Sequence, residues 1–497
     1  MLLLAALAFV TFTSCFAGSG KPLVRENTLR YGFTTEPGTF DPLSPANTAD
    51  GRSILFNVFE GLVKPDSSGI LIPALAQSFT VSGSVYEFIL RDGIKFHDGQ
   101  VLNARDVVFS LNTAAAVGFA ELNRIQSIEI DPDNNRQIRI RLKSPDPEFL
   151  PFLTVGIVPE NNTDRERNPI GTGPYIIANY APQQFLTLEK NPHYWQSGVP
   201  SIDTVTIVFS ASSDALVTGL RGGNLDGTGV TGSMLSQFRE NEIDVFPSFS
   251  NSVQLVALNN ARKPLDDIRV RQALNYAVDV PEIIETAFHG HGKPSGSPLI
   301  PALTHVYDER LHDPFPRNID RAKRLLAEAG YPSGFPLTIT VPSNFTMHVD
   351  TAQVLVNQLS SIGIDVSLRL VDWGTWLSDV YSARNYEATI ISLDAPSVAP
   401  RSFLSRYYST AGSNFLNFVS TDFDRVFDAI LIEADESKRR DLYKEAQHII
   451  SRDAASIFIQ DILGFKIFAK GEIGGVRNYP LYVTDFASMY RLSNQER

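Results

Sequence analysis

A catalytic or metal centre in this chain would have to be assembled from 8 histidines, a single cysteine and 55 carboxylates. His97 stands beside Asp98, a pairing that could act as a general base or a metal ligand, yet no second His or Cys lies at ligand spacing from it. His289-Gly-His291 could hold a metal as a pair, but it sits in a Gly/Pro stretch that reads as a surface loop. Gly227-Thr-Gly229-Val-Thr-Gly232 spells the GxGxxG of a dinucleotide site. That chemistry needs the glycines to follow a strand and open a helix, so that a tight backbone turn can meet a pyrophosphate. Here they follow Asp214 to Arg221, which reads as a helix. Asn161-Asn-Thr163 fits a glycosylation sequon, which an exported bacterial chain would not use. No GxSxG elbow, phosphate-binding loop, HExxH helix or cysteine nucleophile is spelled, so no catalytic residue, metal or cofactor is expected. Carboxylates are too common for spacing to select a pair, so a secreted or periplasmic carboxylate hydrolase stays open beside a protein that binds and does no chemistry.

The cysteine belongs to a different chemistry. Leu2 to Phe12 is an unbroken run of apolar and small residues with a single Thr. It is too short to span a bilayer and reads as the core of a signal peptide. Phe12-Thr-Ser-Cys15 then resembles the box closing bacterial lipoprotein signals, so residues 1–15 are expected to be such a signal, with Cys15 lipidated. The competing use of Cys15 is a buried thiol. Two features depart from the box: Phe12 replaces the usual Leu, and no Lys or Arg precedes Lys21. One cysteine permits no intrachain disulfide. The remainder of the 497 residues, with 43% hydrophobic and 20% charged content, describes a soluble globular chain of about three domain-sized units. A net charge of −12 argues against nucleic acid or an acidic membrane surface as partner.

The elements that would position a site centre on Val253 to Asp279. Val253, Leu255 and Ala257 alternate with Gln254, Val256 and Leu258 at the strand period, and Asn259-Asn260 and Pro264 break the run. Asp266 or Asp267 can cap a helix whose apolar positions Val270, Ala273, Leu274, Ala277 and Val278 form one buried face. Upstream, Leu29 to Phe33 reads as a strand, the loop after it as ligand-facing, and Ile54 to Val63 as a helix. Tyr86 to Leu90 begins a hairpin region turning at Asp92-Gly93 and Asp98-Gly99, and Asn103 caps a helix from Ala104 to Asn112. Downstream, Ile319 to Ala329, Leu337 to Val341, Asp350 to Ser361, Asp365 to Val371 and Ala388 to Leu393 alternate helix and strand, which is βαβ patterning. Two amphipathic helices, Asp422 to Ala434 and Glu436 to Asp453, precede a strand from Ile457 to Phe468.

The wording PLDDIRVRQALNYAVD, the aromatic-Asp-Gly turn followed by Asn103-Ala-x-Asp-Val-x-Phe-Ser110, and the turn Pro169-Ile-Gly-Thr-Gly-Pro-Tyr175 together resemble extracellular solute-binding proteins of family 5, the peptide-binding components of ABC importers. The resemblance runs from Leu29 to Leu492. It implies a two-lobed α/β periplasmic-binding-protein fold of type II, with an extra subdomain in the first lobe and a two-strand hinge. Lobe I would take residues 23–258, with the subdomain at about 42–170, lobe II residues 259–470, and the chain would return to lobe I near Gly471 to Gly475. It further implies a lipid-anchored monomer outside the cell membrane that closes on a peptide-like solute and serves a membrane permease. The ligand set implied is Asp394, Trp373, Ile391, Gln254, Thr39 and Tyr407, with Asp394 in the place of the acid that holds a peptide's ammonium. Relatives continue that acid into a short turn ending in an acid before Pro, whereas Ala395 to Arg401 has none. No Arg lies on the helix near Asp350, where dipeptide binders carry one, so longer peptides or a non-peptide solute remain open.

Overall fold

The computed structural model describes residues 27–395, 397–481 and 483–493. Cys15 and its leader lie outside them. Among the described residues, no helix is long and apolar enough to cross a membrane.

One large sheet runs through both lobes. In lobe I the strand Thr28–Phe33 is parallel to Thr204–Phe209 and Gly227–Thr231, and the antiparallel pair Phe185–Lys190 and Tyr175–Ala181 completes that edge. In lobe II the strands Pro336–Pro342, Asp365–Val371 and Ala388–Asp394 are parallel to one another through the first of them. Between these halves lie two long antiparallel strands, Ile243–Leu258 going out and Ser456–Ala469 coming back. Residues 243–249 pair with 463–469 beside lobe I, and residues 253–257 pair with 456–461 beside Ala388–Asp394 in lobe II. The register slips between Phe249 and Val253, where the sheet passes from one lobe to the other.

Both crossings therefore run inside paired strands, and the return is complete before Gly471. The pattern Val253 to Leu258 is the far half of a 16-residue strand, not a short strand of its own. Its alternation is real, but both faces are covered. Val253, Leu255 and Ala257 enter one lobe II core with the helices Thr421–Ile432 and Glu436–Arg452. Val256 and Leu258 enter another with Ile268–Ala277 and Thr346–Ser360. A strand buried on both faces reads as a nearly continuous apolar run. Asp267 caps Ile268–Ala277 by accepting from the Arg269 N–H, and the expected face Val270, Ala273, Leu274, Ala277 and Val278 is buried.

Lobe I carries a four-stranded antiparallel subdomain sheet, Ala76–Ser82, Val85–Leu90, Gln137–Leu142 and Ile125–Ile130. The helix Ala104–Val117 accompanies it, one turn longer than its sequence suggests, because Gly118 at φ 128° supplies the stop. Asn103 and Asp106 form a reciprocal capping box: Asn103 accepts from Arg105 N at 2.8 Å, and Asp106 accepts from Asn103 N at 2.9 Å.

The expected helix Ile54 to Val63 is not formed. The helix is Ala49–Leu55, capped by Thr48, and Val63–Pro65 is a strand. Asn57 accounts for the early stop: its side chain is fully buried and bonds to Thr484 O at 2.8 Å and from Phe486 N at 2.9 Å. An amide committed to a remote segment competes with helix continuation. The same bonds hold the C-terminal stretch on lobe I. There Phe486 and Met489 join the core, Ile473–Gly474 pairs with Tyr490–Arg491, and Arg491 reaches Thr28 O and Asp226.

Candidate ligand cavity between the lobes

Open α/β sheets bind ligands beyond the carboxyl ends of their parallel strands. In lobe II those ends are Pro342, Val371 and Asp394; in lobe I the strand Thr28–Phe33 leads into the loop before Ala49–Leu55. Asp394 and that helix face each other: Arg52 Nη2 lies 4.0 Å from Asp394 Oδ2. Both side chains are about half exposed, so the pair is a solvated bridge and weak as an ion pair. Beside it opens a cavity of 890 Å³. Its walls come from lobe I (Arg52, Glu60), the extra subdomain (Glu121, Phe152), the returning C-terminal segment (Arg477, Tyr479) and, from lobe II, Ala395 and Ser397. The volume is at the upper end for drug-sized ligands. A smaller cavity of 220 Å³ lies inside lobe II alone.

Two motifs shape the lobe I wall. Glu60 is buried and receives the Tyr194 hydroxyl and the Trp195 Nε1–H, each at 3.0 Å, with Lys64 Nζ at 3.7 Å. The Asn191-to-Trp195 stretch thus supplies the donors that let an acid stand in an apolar run. The turn from Pro169 to Tyr175 lies on the backbone after Leu55: Gly173 N donates to Val58 O at 2.9 Å and Tyr175 N to Asn57 O at 3.0 Å. His97 pins this turn. Its Nδ1 accepts from Gly171 N at 3.2 Å and its Nε2 meets Gly173 O at 3.1 Å, which requires the Nε2–H tautomer. Burial pulls its pKa down to about 4, so the ring is neutral and both nitrogens are engaged in structure.

Bonded to the C-terminal wall segment, Lys466 of the return strand is 6% exposed, and burial lowers its pKa to about 8. It donates to Val483 O at 2.8 Å and to Arg477 O at 3.3 Å, tying the wall segment to the hinge strand. The Tyr479 hydroxyl donates to Asp485 at 2.8 Å, and burial and that carboxylate push its pKa up.

The residues expected to line the cleft separate. Asp394 faces lobe I, and its carbonyl accepts from Arg406 Nη2 at 2.8 Å. Trp373, 39% exposed, opens the short helix Trp373–Thr375 just after the strand Asp365–Val371, stacked on Trp376 at 5.0 Å and edge-on to Phe345. Thr39 holds Glu166 on the lobe I loop. Gln254, Ile391 and Tyr407 are interior to lobe II. Gln254 donates to His348 Nδ1 and Thr351 Oγ1 and accepts from Gln460, so its polarity is used inside the core. Arg52, Glu60, Glu121 and Tyr479, which line the cavity, belong to no binding motif in the sequence. For Glu60 a signal existed, a lone acid in Asn57-Val-Phe-Glu-Gly-Leu-Val63.

His289 ends the helix Val280–Phe288 in the left-handed conformation at φ 54°, and His291 packs edge-on against Phe465. Gly227 and Gly229 lie within a strand. Among the described residues, no group of three or more His, Cys, Asp or Glu could hold a metal.

The glutathione-binding protein GsiB of Pectobacterium atrosepticum is 28% identical over 448 residues, covering 85% of this chain and 86% of that one. Among solved structures, the periplasmic binding protein DppA of Helicobacter pylori, in complex with peptide STSA, superposes with a TM-score of 0.78 at 24% identity, covering 94% and 98% of the two chains. NikZ of Campylobacter jejuni, in complex with Ni(L-His), superposes with a TM-score of 0.79 at 21% identity, covering 94% and 100%. Residues 71–415 match the middle region that defines one family, and with the two-lobed sheet and the cavity between its halves the chain belongs to the bacterial extracellular solute-binding proteins, family 5.

Proposed function

We propose that this chain is a non-catalytic receptor that encloses a peptide-like solute between its lobes and presents the closed form to the permease of an ABC importer. The observation that carries the reading is a cavity walled by both lobes, with Asp394 and Arg52 at their meeting edge. A ligand touching both walls favours closure by its differential affinity for the closed state. The walls mix aromatic rings with both charge signs, which suits a zwitterionic solute with apolar side chains. The peptide and glutathione named for relatives agree with that chemistry. Ala395 to Arg401 supplies no acid, and no Arg stands on Thr346–Ser360, so a dipeptide fits poorly. Asp394 holds the ligand's cation in this reading, with Trp373 and Thr39 flanking the cleft.

A thermal-shift screen with short peptides and with chromogenic hydrolase substrates tests the function. A true ligand should raise the melting midpoint without turnover, by about 2.7 kcal/mol of stability at a hundredfold excess over Kd. Asp394→Asn should weaken that ligand about tenfold, or about 1.4 kcal/mol, because the acid is half exposed and partly offset by Arg52. Turnover of a chromogenic substrate would instead favour the hydrolase, and an undiminished shift in the variant would remove the cation-holding role.

Cys15 is the proposed lipid anchor of a receptor in the periplasm or on the outer face of the cell membrane. Acyl chains on one residue give firm anchoring when several are present. Cys15→Ser should move the protein from the membrane to the soluble fraction; unchanged fractionation without label from a lipid precursor would contradict the anchor.

A further inference from the structure

Where the extra subdomain meets lobe II, the contact is made of charges, most of them buried, with Glu121 half exposed at the rim. Arg401, on the helix Pro400–Leu404, is 4% exposed. Its Nη1 donates to Asp146 Oδ1 at 2.5 Å and its Nη2 to Glu121 Oε2 at 3.0 Å, and the Phe152 ring centre lies 4.9 Å from the guanidinium carbon. Asp146 is fully buried and also meets Arg124 Nε at 3.1 Å. A second stitch lies alongside: Arg439 Nε is 3.6 Å from Glu148 Oε1, and Glu148 Oε2 accepts from the Tyr443 hydroxyl. The acids belong to lobe I, and Arg401, Arg439 and Tyr443 to lobe II.

Charge-assisted bonds in dry surroundings are strong and directional. A buried ion left without its partner is strongly unfavourable, so the buried Arg401 favours the setting of the lobes in which Asp146 and Glu121 meet it. Both stitches can be made at one relative setting of the lobes, because a small rotation about the paired strands parts donors from acceptors on both. The cluster also borders the cavity, whose wall includes Glu121 and Phe152. Another wall residue, Ser397, lies 3.3 Å by its hydroxyl from that of Ser402, on the helix that carries Arg401.

We propose that Arg401 is a positioning residue for ligand capture: through its clasp on Asp146 and Glu121 it fixes the angle at which the lobes shut, and with it the shape of the cavity. The clasp stabilises the closed form whichever solute is bound. On opening, Asp146 keeps Arg124, Arg401 enters water, and Glu121, already half exposed, loses one partner. An interaction made in one of two states shifts the population toward that state.

Small-angle X-ray scattering of the full chain after exhaustive dialysis reads the closure directly. Arg401→Met keeps the side-chain stem on Phe152 and leaves Asp146 its Arg124; Arg401→Lys keeps the charge without the fork. The parent should be compact, Arg401→Met should show a larger radius of gyration, and Arg401→Lys should fall between them. The open population should rise about tenfold or more with Met. A near-parental melting midpoint would separate a change of closure from misfolding. Should Arg401→Met fail to fold, Arg401→Lys and Glu148→Gln decide, each expected to expand the chain. Variants as compact as the parent would overturn the clasp.

Discussion

Gly173→Ala should lower stability by about 3 kcal/mol, near the upper end for overpacking in a tight core. A Cβ at this position would stand 2.6 Å from Asn57 O and from the Val58 carbonyl carbon and oxygen. All of these are backbone atoms, so no rotamer change relieves the clash. Nor can the turn retreat. Gly173 N is bonded to Val58 O, and its carbonyl accepts from Asn191 Nδ2 at 2.9 Å as well as meeting His97. The urea midpoint should fall clearly, whereas Gly412→Ala, with nothing within 4 Å of the added carbon, should stay within about 0.5 kcal/mol of the parent. Equal midpoints for the two variants would mean that the Pro169-to-Tyr175 turn is not docked on residues 57–58.

Arg271→Met should be at least as damaging, about 3–5 kcal/mol, by orphaning buried carbonyls. Arg271 sits inside the helix Ile268–Ala277 and is 7% exposed. Its Nη1 donates to Leu265 O at 2.9 Å, its Nη2 to Asp453 O at 2.8 Å and its Nε to Ala454 O at 3.1 Å. The last two carbonyls follow the helix Glu436–Arg452, whose C-terminal end a cation complements. The guanidinium thus binds the start of lobe II to the strand that leaves it. Hydrogen exchange should quicken near residues 446–460 and leave lobe I protected; unchanged protection there would refute this role.

Much of lobe II was legible because local signals agreed with the fold. Asp365–Val371 has its expected limits, since Gly363 stops the preceding helix and the strand pairs in parallel. Asp267, one of the two candidates, caps its helix, and in lobe I Asn103 caps where expected. The crossing was harder to see. In Ile243–Leu258 only the far end, Val253 to Leu258, was legible by its alternation, and the partner that keeps the near end extended lies some 200 residues away. The site was the least legible part. Gln254 has the polarity of a cleft residue, but period-2 patterning does not distinguish a ligand-facing polar group from one satisfied by Gln460 and His348. Arg401 read as a missing acid after Asp394; its partners, Asp146 and Glu121, are more than 250 positions earlier in the chain. Contacts between lobes depend on closure, which no local pattern encodes.

Native mass spectrometry of the purified chain, incubated with a pool of short peptides, puts the central claim to its most direct test. Capture without chemistry predicts one peptide per chain, released intact on denaturation, with the same members of the pool retained on repetition. Recovery of cleaved peptides beside ligand-free protein would contradict the account and turn the cavity into the active site of a hydrolase.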